Sequence, residues 1–296
     1  MFGLLKNRRR ARLQATPLPA SWREIMQRGA PLCRRLSAAQ LRDLEGHVQV
    51  FLHEKSFEGC GGQAITDEVR VVIAANACLL LLGRETNYFP HMGSVLVYPS
   101  SFRVHQKVSD EHGLESEIDE ENLGEAWERG SVILSYEDVM LDARDTTDGF
   151  NLVLHEFAHQ LDMEDGSPNG SPILARHLVG RWNSVMAAEY QALCEKTDRL
   201  DDLESEVDEK ADWNWELRPR PELGEDFVLD PYGAEDPAEF FAVATEAFFE
   251  DGKRLRERHR SFMSCCRPIT ASILQPGRNI ALVSWFPKDS SSCRAL

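Results

Sequence analysis

No C-x-x-C pair occurs in this chain, although it holds seven cysteines. Cys33, Cys60, Cys78, Cys194, Cys265, Cys266 and Cys293 are odd in number and irregular in spacing. That pattern argues against a disulfide framework and reads as reduced thiols in a cytoplasm. Long apolar runs are missing too. Spanning a bilayer takes about 18 apolar residues, and the longest stretch, Val71 to Leu82, is shorter and broken by Asn76. The opening residues, Met-Phe-Gly-Leu-Leu-Lys-Asn-Arg-Arg-Arg-Ala-Arg, set their few apolar side chains ahead of the charges, the reverse of a secretory signal. They read as a frayed basic tail over residues 1–20, closed by Pro17 and Pro19, with a short membrane-surface contact as the alternative. Positive charge is scarce. Lys and Arg number 33 against 49 Asp and Glu, a net of −16, which argues against direct binding to nucleic acid through phosphate contacts. There is no internal repeat or low-complexity tract, and 42% hydrophobic residues in a chain of 296 is ordinary for a globular protein.

What is present begins with helices. From Trp22 to Phe51 the apolar residues recur at helical spacing, and Ser37 can cap a helix carrying Leu41, Leu44, Val48 and Phe51. Phe57 to Gly62 reads as a Gly-rich break. Thr66 then caps a core helix that is apolar most of the way round, from Val69 to Leu81, and ends near Gly83. Ser94–Tyr98 and Ser131–Tyr136 read as strands, and a strand edge can hold an extended peptide. His91 and His105 flank the first strand as loop or strand-end residues. Acidic side chains crowd residues 109–129 and 195–230, which read as solvated loops or helix faces.

The chemistry concentrates in Asp148–Met163, where His155, Glu156 and His159 form H-E-x-x-H. Residues four apart share a helix face, so both imidazoles can reach one Zn²⁺. Glu156 lies one residue round from the first ligand, where its carboxylate can take a proton from a zinc-bound water. Thr146, Thr147 and Asp148 are candidate N-caps, Phe150, Val153, Leu154, Phe157, Ala158 and Leu161 give an apolar face, and Gly166 and Pro168 stop the helix. Two surface histidines on an amphipathic helix would sit among charges, and these sit among apolar residues.

A peptidase centre needs a third protein ligand. The pattern that returns one through a Gly turn would require Gly at 162 and His at 165, and this chain has Asp162 and Asp165. Asp162 falls on the metal face, where it can orient a histidine. A second helix follows, with Asp236 as N-cap, Pro237 at its first position, and Glu239 and Glu246 seven residues apart. Asp236-x-x-Glu239 is also a capping box. Spacing alone leaves Glu239, Glu246 and Asp165 open as third ligand.

Phe51-Leu-x-x-Lys, Val95-Leu-Val-Tyr-Pro, the run from Gly149 through Asp162, and Asp-x-Tyr-x-Ala-x-Asp-Pro-Ala-Glu-x-Phe-Ala-Val resemble the Mlc titration factor A family of zinc-dependent peptidases. The likeness spans about Trp22 to Arg260. It implies an α+β fold with a zincin-like core similar to that of anthrax lethal factor, a small mixed sheet packed on the H-E-x-x-H helix, and helices elsewhere. A single metallopeptidase domain would cover 21–267, with an acidic insertion at about 195–230 and a C-terminal tail over 268–296 that matches nothing in the family. Carried over by motif, His155, His159 and Glu239 would bind one Zn²⁺ in a gluzincin-type site, Glu156 would be the general base, and Tyr232 would donate to the transition state. Asp162 would then act behind the ligands. The resemblance further implies a cytoplasmic aminopeptidase of short peptides and, as partner, the transcriptional repressor Mlc. A protein that mainly sequesters a regulator is the competing function, and a retained Glu156 favours the enzyme.

Overall fold

The computed structural model describes residues 2–100, 107–109, 115–117, 130–205 and 227–265. His105, most of the acidic stretch from 195 to 230, and the tail over 268–296 lie outside the described residues. Helices α1 (Phe2–Gln14), α2 (Ala20–Gly29), α3 (Ala38–Glu54) and α4 (Asp67–Leu79) come first, with strand β1 (Ser56–Gly59) between the last two. Ser37 caps α3 in a capping box with Gln40, and the Val69 N–H donates to the Thr66 hydroxyl at the start of α4. Apolar nearly all round, α4 is correspondingly buried from Val71 to Leu79. Its one buried amide, Asn76, donates to the carbonyls of Gly29 and Val72.

Strands β2 (Ser94–Tyr98) and β5 (Ser131–Ser135) join β1 in a parallel sheet of order β1-β2-β5, with Ser56 opposite Ser94 and Ser94 opposite Ser131. A parallel pair needs a crossover, which α4 supplies between β1 and β2. Val95, Val97, Val132 and Leu134 alternate into the core. Strands β3 (Lys107–Ser109) and β4 (Glu115–Glu117) make a separate antiparallel pair. The small sheet is therefore parallel among the described residues rather than mixed. The remaining helices are α5 (Tyr136–Asp142), α6 (Leu152–Asp162), α7 (Arg176–Ser205), α8 (Pro237–Glu250) and α9 (Gly252–Arg258). The class is α+β, mostly helical. Among the described residues no helix is long and apolar enough to cross a membrane.

Two local readings of the sequence are corrected. The segment expected to fray is helix α1. It is docked by Arg10, whose guanidinium donates to both Glu54 oxygens at 2.8 and 2.7 Å and to Asn87. Hydropathy cannot see a partner 44 residues away. The expected break at Phe57 begins as β1, because Phe57 packs edge-on against Phe51 at 6.2 Å and its backbone pairs with β2. Four residues are too few to show a strand period.

Phe51 of α3, Phe89 of the loop before β2, and Phe157 of α6 meet with ring centroids 4.9–6.2 Å apart. All three are fully buried. This cluster seats the helix that carries the H-E-x-x-H residues on the rest of the core, while α8 packs along it from the other side.

Candidate metal centre

Helix α6 starts later than the sequence suggests. Its N-cap is Asn151, whose Oδ1 accepts from the Leu154 N–H at 3.0 Å. Thr147 and Asp148 instead close turns, the Thr147 N–H donating to Asp145 and the Phe150 N–H to Asp148. Two further donors at this helix start, which the helix itself leaves without acceptors, are taken up by carboxylates from neighbouring helices: Leu152 N–H by Asp142 at 2.7 Å, and Asn151 N–H by Glu246. Buried helix ends need such partners. Asn151 stands directly before the apolar run, so its residue type and place could have identified it.

The α6 register puts His155 and His159 on one face, with their Nε2 atoms 3.2 Å apart. Helix α8 brings Glu239 to them. Asp236 caps α8 by accepting from the Ala238 and Glu239 N–H groups, and Pro237 occupies the first turn. Glu239 does not close the box. Its carboxylate turns to the histidines, with Oε2 2.9 Å from His155 Nε2 and Oε1 3.4 Å from His159 Nε2. Among the described residues, these three form the one group whose ligand atoms all lie within 4.8 Å of one another.

Two ligands bonded to a tetrahedral zinc at about 2.0–2.1 Å are themselves about 3.3–3.5 Å apart. The 3.4 Å separation matches that spacing, and those of 2.9 and 3.2 Å fall short of it by a few tenths of an ångström, which small side-chain shifts would supply. Electrostatics point the same way. Burial works against a charge on His155, but Glu246 and Glu239 outweigh it and hold its proton affinity well above that of a free imidazole. Burial alone would raise the Glu239 acid, and the two imidazoles overcome that and draw it down to about 2. Carboxylates pressed on imidazoles leave a demand for positive charge that a divalent cation meets.

Around this group stand three more side chains. Glu246 Oε1 lies 2.8 Å from His155 Nδ1. With an ion seated between Nε2 and Glu239, a neutral ring donating there would turn its Nε2 lone pair to the metal, the usual carboxylate–histidine arrangement. Glu156 is half-buried beside the pair, and burial, countered by both imidazoles, raises its acid. Tyr232 comes from the turn Pro231–Ala234, fixed where Asp230 accepts its N–H at 2.7 Å. Its ring lies 6.0 Å from that of His155, and burial with Glu239 and Glu156 nearby raises the phenol, so it remains a donor. Tyr190 of α7 donates to the Ala234 carbonyl and steadies the same turn, a contact no sequence spacing announces.

Asp162 and Asp165 are elsewhere. Asp162 is fully buried, but its oxygens accept from the N–H groups of Gly170 and Ser171 at 2.8 and 2.7 Å instead of orienting a histidine. Seven residues keep it on the same face yet carry it about 10 Å along the axis. It acts on the loop after the helix, and Gly170 in that loop presses on α8. Gly170 has φ +74°, and a Cβ there would meet the Pro237 carbonyl at 2.2 Å. Gly170→Ala should therefore cost about 2–4 kcal/mol, measured by denaturant unfolding; a neutral result would show that the loop does not bear on α8. Asp165 is exposed, accepts from the Ser167 N–H, and reaches no histidine. His91 lies near the Glu164 carbonyl at 3.4 Å, outside the cluster.

Glu250, one turn beyond Glu246, is 3% exposed and accepts from the Asn151 amide at 3.1 Å. Burial, with Asp148 and Glu246 close by, pushes its acid up to about 9. The unfolded value is about 4.3, so between the two the native state holds a proton that the unfolded chain has released. The stability it contributes is complete below pH of about 4 and is lost as pH rises towards 9. Glu250→Gln should melt higher than the parent at pH 8, with the gap narrowing towards pH 5. A gap independent of pH would contradict the protonated Glu250.

A model of the glucose-regulated metallo-peptidase M90 family matches residues 5–267. The chain belongs to that family. It is 41% identical over 253 residues to an uncharacterized protein of Synechocystis, covering 85% of this chain and 83% of that one. It is also 30% identical over 241 residues to Mlc titration factor A of Yersinia enterocolitica (81% and 80% covered). The Pectobacterium atrosepticum Mlc titration factor A is 29% identical over 237 residues, with 79% and 80% covered. The metallopeptidase class thus stands beside a His–His–Glu group that could hold a metal.

Proposed function

We propose that this M90 member is a zinc-dependent peptidase of gluzincin type, with a zincin-like core and aminopeptidase action on short peptides in the cytoplasm. The observation that carries the reading is the convergence of His155, His159 and Glu239 with Glu156 beside them. Bound there, zinc would supply a Lewis acid that lowers the pKa of water and polarises a carbonyl. His155, His159 and Glu239 would hold it, and Glu246 would keep the His155 ring in its tautomer. Glu156, a carboxylate beside the centre that is not committed to holding a histidine, takes the proton of the attacking water and hands it to the leaving amine. Tyr232, kept protonated, donates to the oxyanion.

One zinc per chain is expected on purification, lost in His155→Ala and in His159→Ala. Turnover should be found on aminoacyl reporters and be weak or absent on N-terminally blocked peptides. Full zinc in both variants would sink the centre, and preferential cleavage of blocked peptides would sink the aminopeptidase reading. The name of the Yersinia and Pectobacterium relatives supports a second role, binding of the repressor Mlc. Such binding makes no use of Glu156.

A further inference from the structure

The charge at the start of this chain is all of one sign. Residues 1–23 contain six basic side chains, Lys6, Arg8, Arg9, Arg10, Arg12 and Arg23, and no acid, in a protein of net charge −16. Most of them lie on α1, whose two faces differ. The inner face is docked: Arg10 is 8% exposed on Glu54 and Asn87, Gln14 donates to the Tyr88 hydroxyl, and Leu13 packs on the core. On the outer face, positions 4, 8 and 12 follow one another at helical spacing with 5 beside them. That face carries Leu4 at 71% and Leu5 at 60% exposure, the two most exposed large apolar side chains among the described residues. Arg8 and Arg12 continue the stripe, exposed and with no ion-pair partner among the described residues.

We propose that the outer face of α1 is a contact for a membrane surface rich in anionic phospholipid. Two leucines at one end of the stripe can enter the acyl boundary while the arginines behind them meet headgroup phosphates. The pairing of residue types selects this occupant. A nucleic acid would use the arginines but leave both leucines in water, since a phosphate backbone offers them nothing. The remaining sequence is net acidic and is repelled overall by the same membrane, so the contact is reversible and salt-sensitive. Arg10 is spent on the inner face, so the contact needs no unfolding of the helix.

The test is sedimentation of the full chain with large vesicles of equal phosphatidylglycerol and phosphatidylcholine, beside vesicles of phosphatidylcholine alone. Binding is expected to the first and not the second, weakening as salt rises. Arg8→Ala with Arg12→Ala should lower the partition coefficient about thirtyfold, at about one kilocalorie per surface charge. Leu4→Asp with Leu5→Asp should abolish it. Unchanged melting temperature and zinc content in both double variants would show that the fold is intact. Equal binding to both vesicles, binding untouched by either pair of changes, or no binding at all would overturn the proposal. So would capture of an acidic protein on this face by a chain that ignores both vesicles.

Discussion

Glu156→Gln should keep the fold and its zinc and lose about 10²–10⁴ of kcat. The side chain follows His155 directly on α6, half-buried, and belongs to no ion pair with the histidines of the kind Glu239 and Glu246 make. Burial raises its acid while His155 and His159 pull against that rise, which moves a carboxylate towards the range where it can both take and return a proton. The amide is the same size and hydrogen-bonds, but cannot accept a proton. Metal content, melting temperature and single-turnover rate measured on one preparation separate the possibilities. Retained zinc with lost turnover is the expected result. Wild-type turnover would show that another group moves the proton. Loss of zinc would mean that Glu156 helps to hold the metal and that His155, His159 and Glu239 are not the whole set.

What could be read from the sequence was what is local. Ser37, Thr66 and Asp236 each cap their helix through backbone groups two or three residues away. Ser94–Tyr98 was legible because a short run of strand-favouring apolar residues is ended by Pro99. H-E-x-x-H was legible because helix geometry alone places both imidazoles together. What failed depended on partners distant in the chain. Arg10 finds Glu54, and the first donors of α6 find Asp142 and Glu246, 10 and 95 residues away. Asp162 failed for a different reason. Its position on the helix face was right, but its place along the axis decides what it meets, and it meets the Gly170 loop. The candidate third ligand stood between these cases. Glu239 and Glu246 share α8 and are two turns apart, so periodicity could not tell the residue facing the Nε2 pair from the one facing Nδ1.

Glu239→Gln and Glu246→Gln make that distinction measurable. Glu239 reaches the Nε2 atoms of both histidines. If it is a ligand, replacing its charge by a neutral amide oxygen should weaken zinc by more than the 10–100-fold that follows loss of a residue behind a ligand. The helix should survive, because Asp236 continues to accept from Ala238 and Glu239. Glu246 is different in kind. Its two oxygens accept from His155 Nδ1 and from the Asn151 N–H, and an amide can satisfy only one of those donors while turning a third N–H against the other. Glu246→Gln should therefore cost about 1–3 kcal/mol of stability and about 10–100-fold in zinc affinity. The two variants trade places on the two scales, one failing chiefly in metal binding and the other in folding. Competition with a zinc chelator and urea unfolding of the zinc-free proteins read the scales separately, with Asp165→Asn, exposed and remote, as the unchanged reference. Intact zinc affinity in Glu239→Gln would return Glu239 to the first turn of a helix and leave the third ligand to be found.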